Sequence, residues 1–271
     1  MKSQAHRTLV QRQFGPHAQA YAASAVHASS QSLRRLVELV DPQPGWRMLD
    51  VATGAGHTAG AFAPCLRLVA ACDVTFSMLQ AAAGLARRQG LQNLALCMSD
   101  VEALPFPCRS FDLLTCRLAA HHFASIPAFL AECARLLVAG GRLAVVDNIV
   151  PEDEVAAEWV NDFERARDPS HAGCLSLQAW LAEVQRAGFQ ALRAEAQAKA
   201  MDFEAHCERM GLSARRRAAL WAMLQQAPPA AREFLHPEEH TGRRTFVLTE
   251  GWMIAAKDPQ PSFIPHPIEG D

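Results

Sequence analysis

Two adjacent histidines and one aspartate have the side-chain chemistry to move a proton in this chain. His121 and His122 follow a predicted strand, and Asp147 ends the neighbouring one. A histidine titrates near neutral pH, and a carboxylate beside it can orient its ring for general-base catalysis. We therefore predict His121, His122 and Asp147 as catalytic residues. The alternative is structural: one or both histidines cap the following helix or bond to the backbone.

A glycine-containing turn earlier in the chain is suited to ligand binding. Residues 46–51 form a short apolar run typical of a buried parallel strand, and residues 57–63 follow as a predicted helix. A turn from a strand into a helix presents free N–H groups and the positive end of a dipole. Gly54 and Gly56 in this turn permit positive φ and a close approach of the ligand. The turn is typical of a nucleotide-binding loop.

Three acids indicate which nucleotide this loop binds. Asp50, inside the motif, would repel the pyrophosphate of a dinucleotide but suits a ligand that carries an ammonium group. Asp73 ends the next predicted strand, where a carboxylate can bind ribose hydroxyls. Asp100 follows the third strand and suits the exocyclic amine of adenine. Ammonium, ribose and adenine together describe S-adenosylmethionine.

Several further motifs accompany these acids in a fixed order. They occupy residues 49–56, 73–79, 100–106, 111–117, 119–123 and 136–141. Together they resemble the class I S-adenosylmethionine-dependent methyltransferases, in the small-molecule branch akin to the ubiquinone and menaquinone methyltransferases. The resemblance is strong over residues 45–150 and weak over 244–257. One departure is Ala52, which stands where the family usually has the first glycine of its Asp-x-Gly-x-Gly-x-Gly motif.

The resemblance implies residues that hold S-adenosylmethionine and release S-adenosylhomocysteine as product. At the methionine end they are Asp50, Ala52, Gly54 and Gly56, with the backbone of Arg117 lining the sulfonium. Around the adenosine they are Asp73, Val74, Met78, Asp100 and Val101. An N-terminal helix closes the site in family relatives, which would bring Phe14 and Tyr21 near the methyl group.

The acceptor is less well defined by the sequence. His171 lies in a predicted loop above the strand ends, where it would face a substrate or solvent. Methyl transfer is an in-line displacement, so positioning supplies much of the rate and a base serves a hydroxyl or acidic carbon. Few aromatic and many alanine and leucine residues favour an apolar small molecule, methylated on oxygen or carbon.

The chain's alternating strands and helices predict an α/β fold. Predicted helices of ten to fifteen residues separate the strands, which implies crossover connections and a parallel sheet with helices on both faces. We expect a doubly wound, mostly parallel sheet of seven strands, with N-terminal helices and a helical C-terminal cap. A predicted helix from residue 126 to 138 stops at Gly140 and Gly141, and Pro228-Pro229 breaks the chain.

Four segments follow from this pattern. Residues 1–44 form an N-terminal helical lid, and 45–150 form the cofactor-binding core. Residues 151–257 add a helical cap and complete the sheet, and the proline-containing residues 258–271 form an extended tail.

Composition narrows the class further. Half of the 271 residues are hydrophobic, and the net charge of −2 gives no electrostatic footprint for nucleic acid. The chain shows neither a membrane-length apolar run nor a signal peptide, so we expect a cytoplasmic enzyme, with a homodimer as one assembly. The eight cysteines include no Cys-x-x-Cys pair, which favours buried reduced thiols and no metal site.

Two other functions compete with methyl transfer. A nicotinamide-dependent reductase of the short-chain type needs a Tyr-x-x-x-Lys pair, but the only tyrosine is Tyr21 and position 25 is alanine. A protein that binds S-adenosylmethionine without methylating, such as a partner subunit or a cyclase, would carry the same acids. Tight NAD(P) binding would favour the first alternative, and the absence of S-adenosylhomocysteine release would favour the second.

Overall fold

The computed structural model describes residues 2–22 and 30–258, with side chains for all of these except 2, 3, 20, 21, 30 and 31. Five strands run parallel: β1 (Arg47–Val51), β2 (Leu68–Asp73), β3 (Leu94–Met98), β4 (Phe111–Arg117) and β5 (Leu137–Ile149). Three more strands follow: β6 (Phe189–Asp202), β7 (Glu238–His240) and β8 (Arg243–Lys257). Of these, β8 runs antiparallel to its neighbours β5, β6 and β7. The spatial order is β3-β2-β1-β4-β5-β8-β6, and β7 pairs with β8.

Helices cover both faces of this sheet. They are α1 (Lys2–Phe14), α2 (Ala18–Ala22), α3 (Ser30–Val40), α4 (His57–Phe62), α5 (Phe76–Gln89), α6 (Ile126–Leu136), α7 (Glu154–Arg167), α8 (Leu177–Arg186), α9 (Phe203–Glu208), α10 (Ala214–Gln225) and α11 (Pro229–Leu235). One core, which includes Phe129 and Trp180, packs α6 and α8 on one face. A second, which includes Leu36 and Phe62, packs α3 and α4 on the other. The predicted doubly wound fold is confirmed.

A third apolar cluster builds the cap beyond the carboxyl ends of the parallel strands. Phe163 of α7, Phe203 of α9 and Trp221 of α10 pack there with Phe246 of β8. The antiparallel pair β6–β8 extends past the parallel strands and supports this cluster. The cap therefore rests on the sheet and faces the edge where the predicted site residues lie.

The structure corrects several details of the predicted elements. The sheet has eight strands rather than seven, because the short β7 joins β8. Gly140 and Gly141 do not end a helix; they lie inside β5 at a register shift against β4. A Cβ on Gly141 would lie 3.2 Å from the Asp112 carbonyl oxygen, a tight contact, so this approach of the two strands favours glycine. Pro229 begins α11 instead of breaking the chain, as a proline can in the first helical turn.

Three further predictions have mixed outcomes. All eight cysteines are free, but they are not all buried: Cys108 is exposed, and Cys65, Cys97 and Cys174 are half-buried. The predicted tail lies outside the described residues from 259 onward. Within the described residues, no helix has the length and apolar character to cross a membrane.

Candidate active site

The loop after β1 takes the left-handed backbone that its small residues allow. Ala52, Gly54 and Gly56 have φ of 53°, 54° and 86°. A Cβ on Gly56 would lie 2.9 Å from the Ala82 Cβ, so glycine lets α4 pack closely on α5. A Cβ on Gly54 would meet nothing within 4 Å. Ala52 adopts this conformation as a non-glycine residue, which costs about 1 kcal/mol.

Asp50 supports this loop from behind. Its carboxylate accepts hydrogen bonds from the Thr53 and Thr115 hydroxyls, both at 2.6 Å, and from the Ala59 N–H at 3.2 Å. Burial raises the pKa of Asp50 to about 6, against the effect of these hydrogen bonds. The prediction that Asp50 faces the ligand is not supported. Asp50 is 1% exposed, and it does not line the cavity that lies in front of the loop.

Asp73 joins the loop to the end of β2. One carboxylate oxygen accepts the Gly54 N–H at 2.9 Å, and the other accepts the Thr75 N–H at 2.8 Å. Burial raises the pKa of this carboxyl, and the two backbone N–H groups partly oppose the rise. Unlike Asp50, Asp73 lines the cavity in front of the loop.

Asp100 is held by the N-terminal helix. Arg7 of α1 forms an ion pair of 2.6 Å with its carboxylate, whose other oxygen accepts the Glu102 N–H at 3.2 Å. Arg7 was not predicted as a site residue from the sequence, because no local pattern connects it with Asp100, which lies far along the chain.

Three other contacts fix α1 across the same cavity. The ring of His6 bonds through Nε2 to the His122 carbonyl oxygen at 2.8 Å, and Gln11 donates to the Val74 carbonyl at 2.8 Å. Phe14 meets the His122 ring edge-on, with 4.8 Å between ring centroids. The helix thus forms one side of the cavity. The Tyr21 side chain lies outside the described residues.

The first cavity has an empty volume of about 1060 Å³, open solvent at its mouth included. Arg117 lines it, and the Arg117 Nε donates to the Thr58 hydroxyl at 3.0 Å. Gly56 does not line it. The predicted residues that do are Phe14, Ala52, Gly54, Asp73, Val74, Met78, Asp100, Val101, Arg117 and His122.

His121 and Asp147 form a buried pair. The His121 Nδ1 lies 2.6 Å from one Asp147 oxygen, and the His121 backbone N–H donates to the other at 2.7 Å. Burial lowers the pKa of His121, but the charge and hydrogen bond of Asp147 outweigh it and raise the pKa above its usual value. With Nδ1 bonded to the carboxylate, Nε2 is the nitrogen left for acid–base work.

The neighbouring histidines have different surroundings. His122 bonds through Nδ1 to the Ser170 carbonyl at 3.0 Å, and burial followed by the charge of His121 lowers its pKa to about 3. His171 bonds to the Asn161 side chain at 2.9 Å, and burial is the main cause that lowers its pKa to about 2. His171 is buried and lines neither cavity, so the prediction that it faces substrate or solvent is not supported.

A second cavity of about 630 Å³ lies beside the first, open solvent again included. Phe14, Leu118 and His122 line both. His121 lines only the second. Most of the lining is polar, which does not favour the apolar acceptor expected from composition. The other residues are Asn148, Arg167, Asp168, Lys199, Met201, His206, Arg209, Met210, Leu248 and Glu250.

These other residues of the second cavity were not predicted from the sequence. They lie on β5, β6 and β8 and on or just after α7 and α9, which no single motif joins. Among the described residues there is no group of histidine, cysteine or acidic side chains that could hold a metal ion.

The parallel sheet, the loop with left-handed backbone and the acids at the strand ends define a Rossmann-like methyltransferase. Residues 49–145 match the family model of a methyltransferase domain. YcgJ of Bacillus subtilis, an uncharacterised methyltransferase, is 39% identical over 169 residues, which are 62% of this chain and 67% of YcgJ. The chain belongs to the S-adenosylmethionine-dependent methyltransferases, which confirms the predicted family and its enzymatic class.

Solved structures agree. A Bacillus halodurans protein assigned as a methyltransferase superposes with a TM-score of 0.81 at 32% identity, over 84% of this chain and 100% of that one. The YcgJ crystal structure gives 0.78 at 32% identity, over 84% and 98% of the two chains. The ubiquinone/menaquinone biosynthesis C-methyltransferase UbiE of Shewanella frigidimarina is 29% identical over 126 residues. That match covers 45% of this chain, which spans 50% of the length of UbiE.

Proposed function

We propose that the first cavity binds S-adenosylmethionine and that the second binds a small-molecule acceptor of its methyl group. The observation that supports this proposal is that the two cavities share a wall. Phe14, Leu118 and His122 line both cavities, and the His121–Asp147 pair lies on the second side of that wall. Cofactor and acceptor would therefore meet at one place, with a base beside the acceptor.

The residues of the first cavity fit the cofactor. Asp73 offers a carboxylate at the cavity surface for ribose hydroxyls, and the open side of Gly54 leaves room for a ligand. The Asp100 carboxylate suits the adenine amine, which would share it with Arg7. Val74 and Met78 supply apolar contacts for the adenosine. The Arg117 guanidinium suits the carboxylate of the methionine moiety, a role beyond the backbone contact expected from the family.

The proton chemistry falls to His121. When bound, S-adenosylmethionine supplies a methyl group on a positively charged sulfur, an electrophile. Asp147 holds His121 through Nδ1, so that Nε2 accepts the proton of the acceptor as its oxygen or carbon attacks. His122, with its lowered pKa, stays neutral beside this base and forms part of the wall. Oxygen and carbon acceptors both fit, since either has a proton to lose.

Variants of the two histidines test this mechanism. We expect His121→Ala to abolish turnover while S-adenosylhomocysteine still binds with wild-type affinity by calorimetry, and His122→Ala, which removes part of the wall between the two cavities, to lower turnover less. Screening acceptors for release of S-adenosylhomocysteine measures the turnover. Full activity of both variants would mean that positioning alone drives the reaction. Cofactor binding without turnover on any acceptor would favour a protein that binds the cofactor but does not methylate.

The four segments expected from the sequence take functional roles in this proposal. The described part of residues 1–44 would act as a lid through α1, while α3 packs on the core. Residues 45–150 would bind the cofactor, and the cap in 151–257 would enclose the acceptor. This assignment is supported by the cap residues in the second cavity, such as Arg167, Lys199 and Arg209.

A further inference from the structure

The position of the proton on His122 is fixed by its neighbours. The His122 Nδ1 lies 3.0 Å from the Ser170 carbonyl oxygen and 3.3 Å from the Ser170 hydroxyl oxygen. The carbonyl oxygen can only accept a hydrogen bond, and the hydroxyl already donates its hydrogen to Asp168 at 2.6 Å. Because both partners act as acceptors, Nδ1 carries the proton. In the neutral ring, Nε2 is then a hydrogen-bond acceptor.

The His122 ring is neutral at physiological pH. Burial, followed by the charge of His121, lowers the pKa of His122 to about 3. The charge of Asp168 acts in the opposite direction, but its effect is smaller. His122 therefore presents a lone pair at Nε2 and no N–H group there.

A carboxylate oxygen lies close to this lone pair. The Asp168 Oδ2 is 4.0 Å from the His122 Nε2, and the Asp168 side chain is 3% exposed. The other oxygen, Oδ1, accepts the Ser170 N–H at 2.8 Å as well as the Ser170 hydroxyl. Among the described residues, no group donates a hydrogen bond to Oδ2 of Asp168 or to Nε2 of His122. Two acceptors are thus neighbours without a donor between them.

Both acceptors belong to the lining of the second cavity. His122 and Asp168 line it together. Because 4.0 Å is less than twice the length of a hydrogen bond of about 2.8 Å, one ligand atom can reach both acceptors. A buried acceptor without a donor costs free energy. A ligand that supplies an O–H or N–H group here is therefore favoured over one that supplies a further lone pair, such as an ether oxygen.

The charges around the cavity do not call for a charged ligand. The cations and carboxylates in or next to its lining are equal in number: Arg167, Lys199 and Arg209 on one side, and Asp168, Glu250 and the Glu164 that pairs with Arg167 on the other. Lys199 lies 3.4 Å from Glu250, and Arg209 donates to the His206 ring at 2.8 Å. A hydroxyl group donates a hydrogen bond without changing this balance, whereas an ammonium group changes it.

We propose that the methyl acceptor carries a non-reacting hydroxyl group, which lies between the His122 Nε2 and the Asp168 Oδ2 while the reacting atom faces His121. This inference rests on the proposed function and narrows its substrate to a hydroxylated small molecule. The hydroxyl donates to the carboxylate, the stronger acceptor of the two. His122 and Asp168 are then determinants of specificity, and the proton chemistry stays with His121.

Small aromatic probes test the inference without knowledge of the acceptor. Phenol, its methyl ether anisole and benzylammonium are titrated into the full chain, with and without saturating S-adenosylhomocysteine, and binding is followed by ligand-observed NMR. We expect phenol to bind about tenfold more tightly than anisole, the value of one hydrogen bond to a charged group. Phenol should also bind more tightly than benzylammonium. His121→Ala should keep the preference for phenol, because the two acceptors do not include His121.

Asp168→Asn changes one of the two acceptors into a donor. The Ser170 N–H and hydroxyl should keep the amide oxygen at the position of Oδ1, which places the NH₂ group at the position of Oδ2. Phenol should then bind about tenfold more weakly than to the wild type, while anisole binds no more weakly. Asp162→Asn is the matched control. Asp162 lies on α7, is 57% exposed, pairs with Arg165 and lines neither cavity, so this variant should bind both probes like the wild type.

Four results would each overturn the hydroxyl assignment. Two are measured on the wild type, so a variant that fails to fold does not affect them: equal binding of phenol and anisole, or tighter binding of benzylammonium than of phenol. The others are a phenol preference that Asp168→Asn leaves unchanged and one that His121→Ala removes. Failure of S-adenosylhomocysteine to bind would instead overturn the proposed function, and the titration without it still measures the two acceptors.

Discussion

The buried pair of His121 and Asp147 gives the sharpest test of the site, through Asp147→Asn. The substitution keeps the size of the side chain and removes its charge. Asp147 accepts three hydrogen bonds: from His121 through its backbone N–H and Nδ1, and from the Asn148 N–H. An asparagine has one acceptor oxygen and one NH₂ group, so at least one of these donors would face another donor.

The cost to folding follows from these contacts. A hydrogen bond to a charged group contributes about 1.5–3 kcal/mol, and a buried donor without an acceptor costs about 1–3 kcal/mol. We expect the variant to lose about 3–5 kcal/mol of unfolding free energy, as is usual when one partner of a buried ion pair is removed. The part of this loss that comes from the ion pair is present in full below pH 6.5. It declines as the pH rises through the raised pKa of His121, because the histidine then loses its charge.

The effect on catalysis has a separate signature. In the wild type, His121 must be neutral to act as a base, so kcat/KM should rise with pH with a midpoint above 6.5. In Asp147→Asn, both effects of Asp147 on His121 are lost and only the smaller effects of Glu164 and Asp168 oppose burial, so the midpoint should fall below that of the wild type. The plateau should fall by about a hundredfold, because the base is weaker and its ring is less well oriented.

Asp112→Asn is the control for this experiment. Asp112 also accepts a backbone N–H, from Arg47 at 2.8 Å, but it lies outside the lining of both cavities. We expect a loss of stability with no shift in the pH profile. A wild-type midpoint at or below 6.5, or one that Asp147→Asn leaves in place, would refute the role of the pair.

Four further variants test the loop and its acids. Gly56→Ala should lower the unfolding free energy, measured with denaturant, by about 2–4 kcal/mol, because Gly56 has a left-handed backbone and lies close to Ala82. Gly54→Ala should cost about 1 kcal/mol, because a Cβ there would enter open space. Equal losses in the two variants would contradict this packing. Asp73→Asn should weaken S-adenosylhomocysteine about 10- to 100-fold by calorimetry, and unchanged affinity would remove Asp73 from the site. Because burial raises the pKa of the Asp50 carboxyl to about 6, the wild type loses stability as the pH rises from 3.8 to 6. Asp50→Asn lacks this carboxyl, so between pH 4 and 8 its unfolding free energy should gain about 3 kcal/mol relative to that of the wild type. A difference between the two proteins that does not change with pH would contradict the raised pKa.

Local signals in the sequence were enough for the core of the fold. Alternating apolar runs and helical periods depend on near neighbours, so they predicted β1 to β4 and their helices closely. The helix predicted to reach residue 138 ends at Leu136, because Gly140 and Gly141 lie inside β5. The packing of Gly141 depends on Asp112 in the neighbouring strand, a contact that a local sequence pattern does not show.

The sequence by itself determined the parallel core and the acids at its strand ends, because strand direction and residue type place side chains at one edge of a sheet. It also predicted that His121 and Asp147 act as a pair. Only the tertiary structure decided that Asp50 stands behind the loop, that Arg7 reaches Asp100, and that Arg167, Lys199 and Arg209 line one cavity. Most of these outcomes depend on burial and charge between segments distant in the chain, and such contacts exist only once the chain has folded.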